Sequence, residues 1–432
     1  MERGKNMANW QVLIREQLEK DREAAVQLLQ QWVKSPSVQG EEQSIQQSIA
    51  ELLGQMGLDV DLWVMEGEEL VSHPYFVSPR TTFEGSPNVV GVWKGQGDGR
   101  SIILNGHVDV VPAGDLAQWS DDPFSGKVED GKLYGRGATD MKGGNLSSLL
   151  AIQVLQKLGV QLKGDVIFQS VVEEESGGAG TLATIIRGYK ADAALIPEPT
   201  NMKIFPKQQG SMWFRLTVKG RSAHGGTRYE GVSAIEKSML VVQAIGQLEK
   251  ERNDRLDDPL YAKLPIPIPI NLGVIEGGKW PSSVADLVKL EGRMGVAPGE
   301  QMDDAKAEMA AALKKLAEVD PWFAEQPVEL EWFGARWVPG AVELDHPLMD
   351  ILQAQFEAVT GERATVEASP WGTDGGLLTA LANTPAIVVG PGVTQVAHYP
   401  NEYIVLDEVF RCAEIFALTL LEWCGVAESV KE

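Results

Sequence analysis

Apolar residues recur with helical spacing at the start of the chain. Val12, Leu13 and Leu18 within residues 9–34, and Ile45, Ile49, Leu52 and Leu53 within 42–57, predict two amphipathic helices. A polar loop carrying Ser35, Pro36 and Ser37 separates them. The pattern then tightens into short β-branched runs at 88–93 and 100–107, so apolar that they read as strands covered on both faces. Helical spacing returns at 146–158 through Leu149, Leu150, Ile152 and Leu155, followed by a strand at 165–172 and a short one at 193–196. Strands alternating with helices predict an α/β sheet flanked on both sides.

After about residue 208 the rhythm changes. Residues 211–219 alternate like a half-exposed strand, 231–252 read as a helix, and Pro265-Ile-Pro-Ile-Pro-Ile-Asn271 favours a sheet edge because proline cannot donate to a ladder. A strand at 284–294, an amphipathic helix at 299–318 and a strand at 328–332 complete the order β-α-β-β-α-β of a ferredoxin-like sandwich. From 337 the α/β pattern resumes, with a helix at 346–360, a strand at 386–390 and a closing helix at 406–423. The expectation is a discontinuous mixed-sheet α/β domain, 1–208 with 337–432, interrupted by an inserted ferredoxin-like α+β domain at 209–336.

Composition narrows the function. The 38 basic and 61 acidic residues leave a formal net charge of −23, a surface that repels nucleic acid and anionic lipid. No apolar run approaches the roughly 20 residues of a membrane span, and the polar N-terminus lacks the apolar core of a secretory signal. The two cysteines, Cys412 and Cys424, read as buried free thiols on one helix, which fits a cytoplasmic protein.

The chemistry gathers at strand ends. The strand at 165–172 runs into Glu173-Glu174-Glu175, then glycines, then a helix for which Thr181 is the expected cap. Three adjacent carboxylates leaving a buried strand repel one another unless a strong positive charge sits among them, and a metal ion is the simplest one. His107-Val108-Asp109 follows another buried strand, with Asp109 able to fix the imidazole tautomer. Asp140 lies in the glycine-rich turn Gly135-Arg136-Gly137-Ala138-Thr139-Asp140, where a dinucleotide loop would need glycine. Glu198 stands between two prolines, and His398 precedes the last helix. His73 and His346 read as structural. His107, Asp140, Glu174 or Glu175, Glu198 and His398 suit two divalent ions, zinc first, with cobalt or manganese as substitutes.

In this order the motifs resemble the co-catalytic zinc aminoacylase and exopeptidase family, which includes acetylornithine deacetylase, succinyl-diaminopimelate desuccinylase and carboxypeptidases. The resemblance implies a zinc-exopeptidase-like catalytic domain carrying a lid. It implies one ion held by His107, Asp140 and Glu198 and a second by Asp140, Glu175 and His398, with Asp140 bridging and a cis peptide after it. Glu174 becomes the general base and Asp109 the partner of His107. His224 in the insert becomes an oxyanion donor to a neighbouring subunit, so a homodimer through the lid is expected. Asn271, Arg293, Gly372 and Thr373 become substrate contacts, although Leu377 and Leu378 stand where enzymes reading a second acidic group often have arginine. The implied activity is removal of an acyl group from an N-acyl amino acid or related amine, as in acetylornithine deacetylase. A dipeptidase or carboxypeptidase acting on short peptides, a formyl-aminopyrimidine deformylase and a non-catalytic metal-binding interaction protein are the alternatives.

Overall fold

The computed structural model describes residues 2–427, with side chains from Met7 onward. One compact unit comprises residues up to Lys207 together with Gly340–Glu367 and the chain from Thr373 on; the other comprises Gln208–Pro339 and Ala368–Gly372.

The first unit is built on a mixed sheet, nine-stranded among the described residues. Its strands run in the order Asp59–Val64, Pro87–Trp93, Val166–Val171, Ile102–His107, Ala194–Ile196, Ala386–Val388, Ile204–Gln208 and Gly340–Ala341, with Val366–Ser369 added beside Ile204–Gln208. Pro87–Trp93, Ile102–His107 and Val166–Val171 are buried at every position, which is why they show no polar alternation. The closing helix Leu406–Cys424 is enclosed by Glu2–Lys34, Gly143–Lys157 and Pro347–Thr360. Cys412 and Cys424 are buried free thiols on it, as expected.

One local expectation changes and one element is new. The helix after the acidic triplet runs Ala179–Ile186 with Gly178, at φ 84°, in the position before it. Thr181 therefore lies inside the helix, and its hydroxyl donates to Asp374 at 2.7 Å instead of capping. Lys127–Glu129 and Lys132–Tyr134 form a hairpin turned by Asp130-Gly131, both at positive φ, a short-range hairpin signal.

The second unit is an antiparallel four-stranded sheet in the order Ile270–Gly277, Leu287–Val296, Gly210–Lys219, Glu329–Trp337. Helices Ala234–Asp254 and Met302–Lys314 complete the β-α-β-β-α-β order. Met212, Phe214, Leu216 and Val218 point into a core shared with Val241, Ile245, Leu290 and Met309, while the intervening Trp213 is 40% exposed. The prolines at 265, 267 and 269 precede the edge strand, which begins at Ile270 once amide donors are continuous.

Candidate active site

Four neighbouring strands, Val166–Val171, Ile102–His107, Ala194–Ile196 and Ala386–Val388, run parallel. Their carboxyl ends therefore open on one edge of the sheet, where ligands of open α/β sheets bind. His107 ends its strand, the glutamate triplet follows Val171, Glu198 follows Ile196 by two residues, and the segment after Val388 leads to His398. Asp140 enters from the turn ahead of helix Gly143–Lys157, and the peptide joining it to Met141 is cis. That helix approaches the Glu198 segment so closely that a Cβ on Gly144 would sit 1.9 Å from the Pro197 carbonyl oxygen, so only glycine fits.

Two of these residues occupy left-handed backbone that non-glycine residues rarely adopt: Glu173 at φ 65° and His398 at φ 63°. Each such conformation costs about 1–3 kcal/mol and persists only where surrounding contacts hold it. For Glu173 the contacts are explicit. Its buried carboxylate accepts hydrogen bonds from Gln39, Ser78, Arg80 and Ser176, at 2.9, 2.8, 2.7 and 2.6 Å. The first glutamate of the triplet is thus an anchor that leaves Glu174 and Glu175 to face the strand-end cluster.

The cluster is organised around Asp140. Its Oδ1 lies 3.2 Å from His107 Nε2 and its Oδ2 lies 3.2 Å from His398 Nε2, so the two imidazoles meet different oxygens of one carboxylate. Glu198 Oε1 is 3.7 Å from His107 Nε2, and Glu175 Oε1 is 3.0 Å from His398 Nε2. Among the described residues, His107, Asp140 and Glu175 bring ligand atoms within 4.8 Å of one another, as do His107, Glu174 and Glu198. Glu174 therefore reaches the same space as the candidate ligands.

The donor set demands a cation. His107 Nδ1 is 2.8 Å from the Asp109 main-chain oxygen, which can only accept, so Nδ1 carries the ring proton. In the neutral ring, Nε2 then presents a lone pair to the Asp140 and Glu198 oxygens, and acceptor faces acceptor. With protein groups alone, only extra protons relieve this. Burial pushes the His107 imidazole down, but the hydrogen bond to Asp140 and the charges of Glu198, Asp109 and Glu174 outweigh it and raise it well above its ordinary range. Hydrogen bonds to Asp140 and Glu175 push His398 up to about 11. Burial raises Glu174 and Glu198 well above the usual carboxylate range, and pushes Asp109 up to about 8. Nitrogen and oxygen donors without thiolates fit a pair of divalent ions of borderline softness, which would remove the need for those protons.

Asp109 does more than the sequence predicts. Its main-chain oxygen orients His107, while its carboxylate lies 3.6 Å from the ring and accepts from the main-chain N–H groups of Glu175 at 3.1 Å and Glu174 at 3.4 Å. One residue thus ties the His107 strand to the acidic triplet. Asp374, in the segment after Gly372-Thr373, is a neighbour the sequence reading did not single out. It is buried, held by Thr181, pushed up to about 6 by burial, and adds to the negative field on Glu174. Thr373 is itself buried and its hydroxyl accepts from Gly375 N, whereas Gly372 packs in the second unit, where a Cβ would sit 2.5 Å from Trp337 Cβ.

The remaining expected residues lie in the second unit. His224 is exposed and its Nδ1 accepts from Gly226 N at 3.1 Å, which leaves the proton of a neutral ring on Nε2. Asn271 and Arg293 are direct cross-strand partners, so their side chains share the open face of that sheet with Trp213, which lies opposite Arg293 on the next strand.

Two imidazoles and convergent carboxylates thus meet at the strand ends, next to the buried Glu174. The family model for Peptidase family M20/M25/M40 matches residues 103–422. An N-formyl-4-amino-5-aminomethyl-2-methylpyrimidine deformylase of Halalkalibacterium halodurans is 33% identical over 404 residues, covering 89% of this chain and 90% of its own. An acetylornithine deacetylase of Edwardsiella ictaluri is 28% identical over 339 residues, 76% of this chain and 82% of its own. The crystal structure of an M20 family metallo-carboxypeptidase from Sulfolobus solfataricus aligns with 92% of this chain and 98% of its own at TM-score 0.72 and 17% identity, a likeness of fold. The chain belongs to peptidase family M20/M25/M40 and is a hydrolase of the deacylase type. No helix among the described residues is long and apolar enough to cross a membrane.

Proposed function

We propose that this chain is a two-metal deformylase: it hydrolyses the formamide of a small aminomethyl-pyrimidine to formate and a free amine. The observation that carries the reading is Asp140, whose two oxygens each meet a different imidazole while Glu174 stands buried alongside. Within the deacylase type, the formyl group is favoured by the likeness to the deformylase, 33% identical over 89% of the chain, against 28% over 76% for the acetylornithine deacetylase. The absence of arginine after the Gly372–Gly376 segment fits a substrate without a second acidic group.

His107, Asp140 and Glu198 would hold one ion, and Asp140, Glu175 and His398 the other, zinc first among the candidates. When bound, such a pair lowers the pKa of water from about 15.7 towards about 7 and polarises the amide carbonyl. Glu174 takes a proton from the attacking water. It then returns that proton to the leaving nitrogen. Asp109 keeps the His107 tautomer through its main-chain oxygen and the triplet through its carboxylate.

The second unit acts as lid and dimerisation surface, with His224 donating to the developing oxyanion of a neighbouring subunit's substrate. The dimer reading is supported by Ile235, Met239 and Val242, an exposed apolar stripe at helical spacing on Ala234–Asp254, beside exposed Val274 and Ile275 on the edge strand. The two buried free thiols favour a reducing compartment such as the cytoplasm.

A second reading, hydrolysis of an N-acyl amino acid, is favoured by Arg293 beside Asn271, a pair suited to gripping a carboxylate. Assay of the zinc-loaded enzyme against N-formyl, N-acetyl and N-succinyl amines and dipeptides separates the two. We expect the formylated aminomethyl-pyrimidine to give the highest kcat/KM, by at least about tenfold, the size of effect that small pocket differences supply. A preference for N-acetyl amino acids would transfer the assignment to the second reading, and no hydrolysis across the panel would overturn both.

A further inference from the structure

Arg136 and Glu402 have no part in the chemistry above, yet they form a buried ion pair directly behind it, with Arg136 Nη1 donating to Glu402 Oε2 at 2.6 Å. Each belongs to a different ligand-bearing segment: Arg136 to the turn that delivers Asp140, Glu402 to the segment that delivers His398. Each also reaches across to the other's main chain. Glu402 Oε1 accepts from the N–H groups of Thr139 and Asp140 at 3.0 and 3.2 Å. Arg136 Nη2 donates to the His398 carbonyl oxygen at 3.2 Å, and Nη1 to that of Tyr399 at 3.4 Å. The main chain repeats the link, with Gly135 N donating to Glu402 O at 2.8 Å and Tyr134 pairing with Tyr403 in a small antiparallel sheet.

We propose that Arg136 and Glu402 are positioning residues for the second ion: they fix the distance between Asp140 and His398 and so set the affinity of the site those two share with Glu175. The inference rests on the two-metal reading. Its logic is geometric. Asp140 serves both candidate sites, but His107 ends one central sheet strand and Glu198 follows another by two residues, and neither contacts the pair. His398 instead sits at a left-handed φ of 63° on an exposed segment, and the Arg136 fork grips its carbonyl. Loosening the pair therefore frees His398 relative to Asp140 before it disturbs His107. Groups that orient ligands in this way are typically worth about 10–100-fold in metal affinity.

The test uses the full-length protein and measures zinc stoichiometry and the two dissociation constants by chelator competition, with thermal melts and far-UV circular dichroism alongside. Glu402→Gln keeps one acceptor oxygen but loses the charge; Arg136→Lys keeps the charge but loses the fork on His398. We expect each variant to bind one ion about 10–100-fold less tightly while the other shifts by less than about threefold, and the absorption spectrum of the cobalt-loaded protein to change for the weakened ion only. Equal loss at both sites, or no loss at either in a folded variant, overturns the proposal. Should Glu402→Gln fail to fold, Arg136→Lys still decides it. A wild-type protein that binds a single ion instead overturns the two-metal reading itself, and this inference with it.

Discussion

The two units present their candidate residues in opposite ways. In the first, His107, Asp109, Glu174 and Glu198 are buried at rigid strand ends, and each has its neighbours fixed within the same unit. In the second, His224 and Asn271 are exposed and Arg293 is only half-buried, on a loop and on the open face of a sheet. Buried ionisable groups are expensive to keep, so a cluster of them marks a place where a charge of opposite sign is bound. Exposed polar groups cost nothing and carry no such mark. Substitutions in the first unit should therefore alter metal content, proton transfer and stability, whereas those in the second should alter turnover and substrate affinity while leaving the fold alone.

The largest expected effect tests the first half of that contrast. Glu174→Gln should lower kcat by about 10²–10⁴-fold, the usual contribution of a positioned general base. Glutamine has the size and shape of glutamate, and Glu174 is not among the proposed ligands, so the variant should keep the fold and both ions. Metal analysis and steady-state kinetics on the same preparation check this, and near-normal turnover in a metal-replete variant would remove Glu174 from its role. Next comes His224→Ala. Losing an oxyanion donor costs about 10²–10³-fold in kcat, yet an exposed side chain with one local hydrogen bond should leave the melting temperature within a degree or two and the zinc content unchanged. A monomeric protein with a fully active His224→Ala variant would break both the dimer and the lid-histidine readings. Arg293→Ala is smaller again. Losing one hydrogen bond to a charged group, worth about 1.5–3 kcal/mol, should raise KM for carboxylate-bearing substrates about 10–100-fold and leave neutral formamides nearly untouched, which also separates the two substrate readings.

The contrast also explains what the sequence reveals. The candidate ligands are legible because they sit where strands end, and strand ends can be found from hydrophobic runs such as 102–107 and 166–171. The order of elements in the second unit is legible because alternation at 211–219 differs from the continuous runs before it. Arg136 and Glu402 are not, because a buried ion pair between residues 266 positions apart leaves no local pattern. Both nonetheless flank ligand motifs, and a charged residue in a glycine-rich turn is itself a signal. Thr181 departs from its expected cap for a related reason. A threonine after glycines favours a cap, but the left-handed Gly178 starts the helix earlier and frees the hydroxyl for Asp374. The role of Asp109 is divided between main chain and side chain, a distinction that spacing alone cannot draw.

The smallest effect is the most direct probe of the buried cluster, and its sign can be worked out. Burial holds the carboxyls of Asp109, Glu402 and Asp374 at about 8, 7 and 6, above the roughly 3.9–4.3 of an unfolded chain. The unfolded chain gives up these protons first, so between about pH 4 and pH 8 the folded metal-free protein binds more protons, and its stability falls as pH rises. His398, held at about 11 mainly by its hydrogen bonds to Asp140 and Glu175, acts in the same direction above about pH 6.5. Lys142 opposes them. Burial lowers its ammonium to about 7, while it donates to the Trp32 and Ser35 carbonyl oxygens at 3.0 Å, so its contribution grows above that pH. One lysine against several carboxyls and an imidazole leaves the net slope negative. Zinc binding has the opposite dependence, because its ligands must be deprotonated and its affinity rises with pH. The gap between the melting temperatures of zinc-loaded and chelated protein should accordingly widen by several degrees from pH 6 to pH 8. Equal gaps at the two pH values would mean that the strand-end cluster does not exchange protons for metal, and the contrast between the two units would lose its basis.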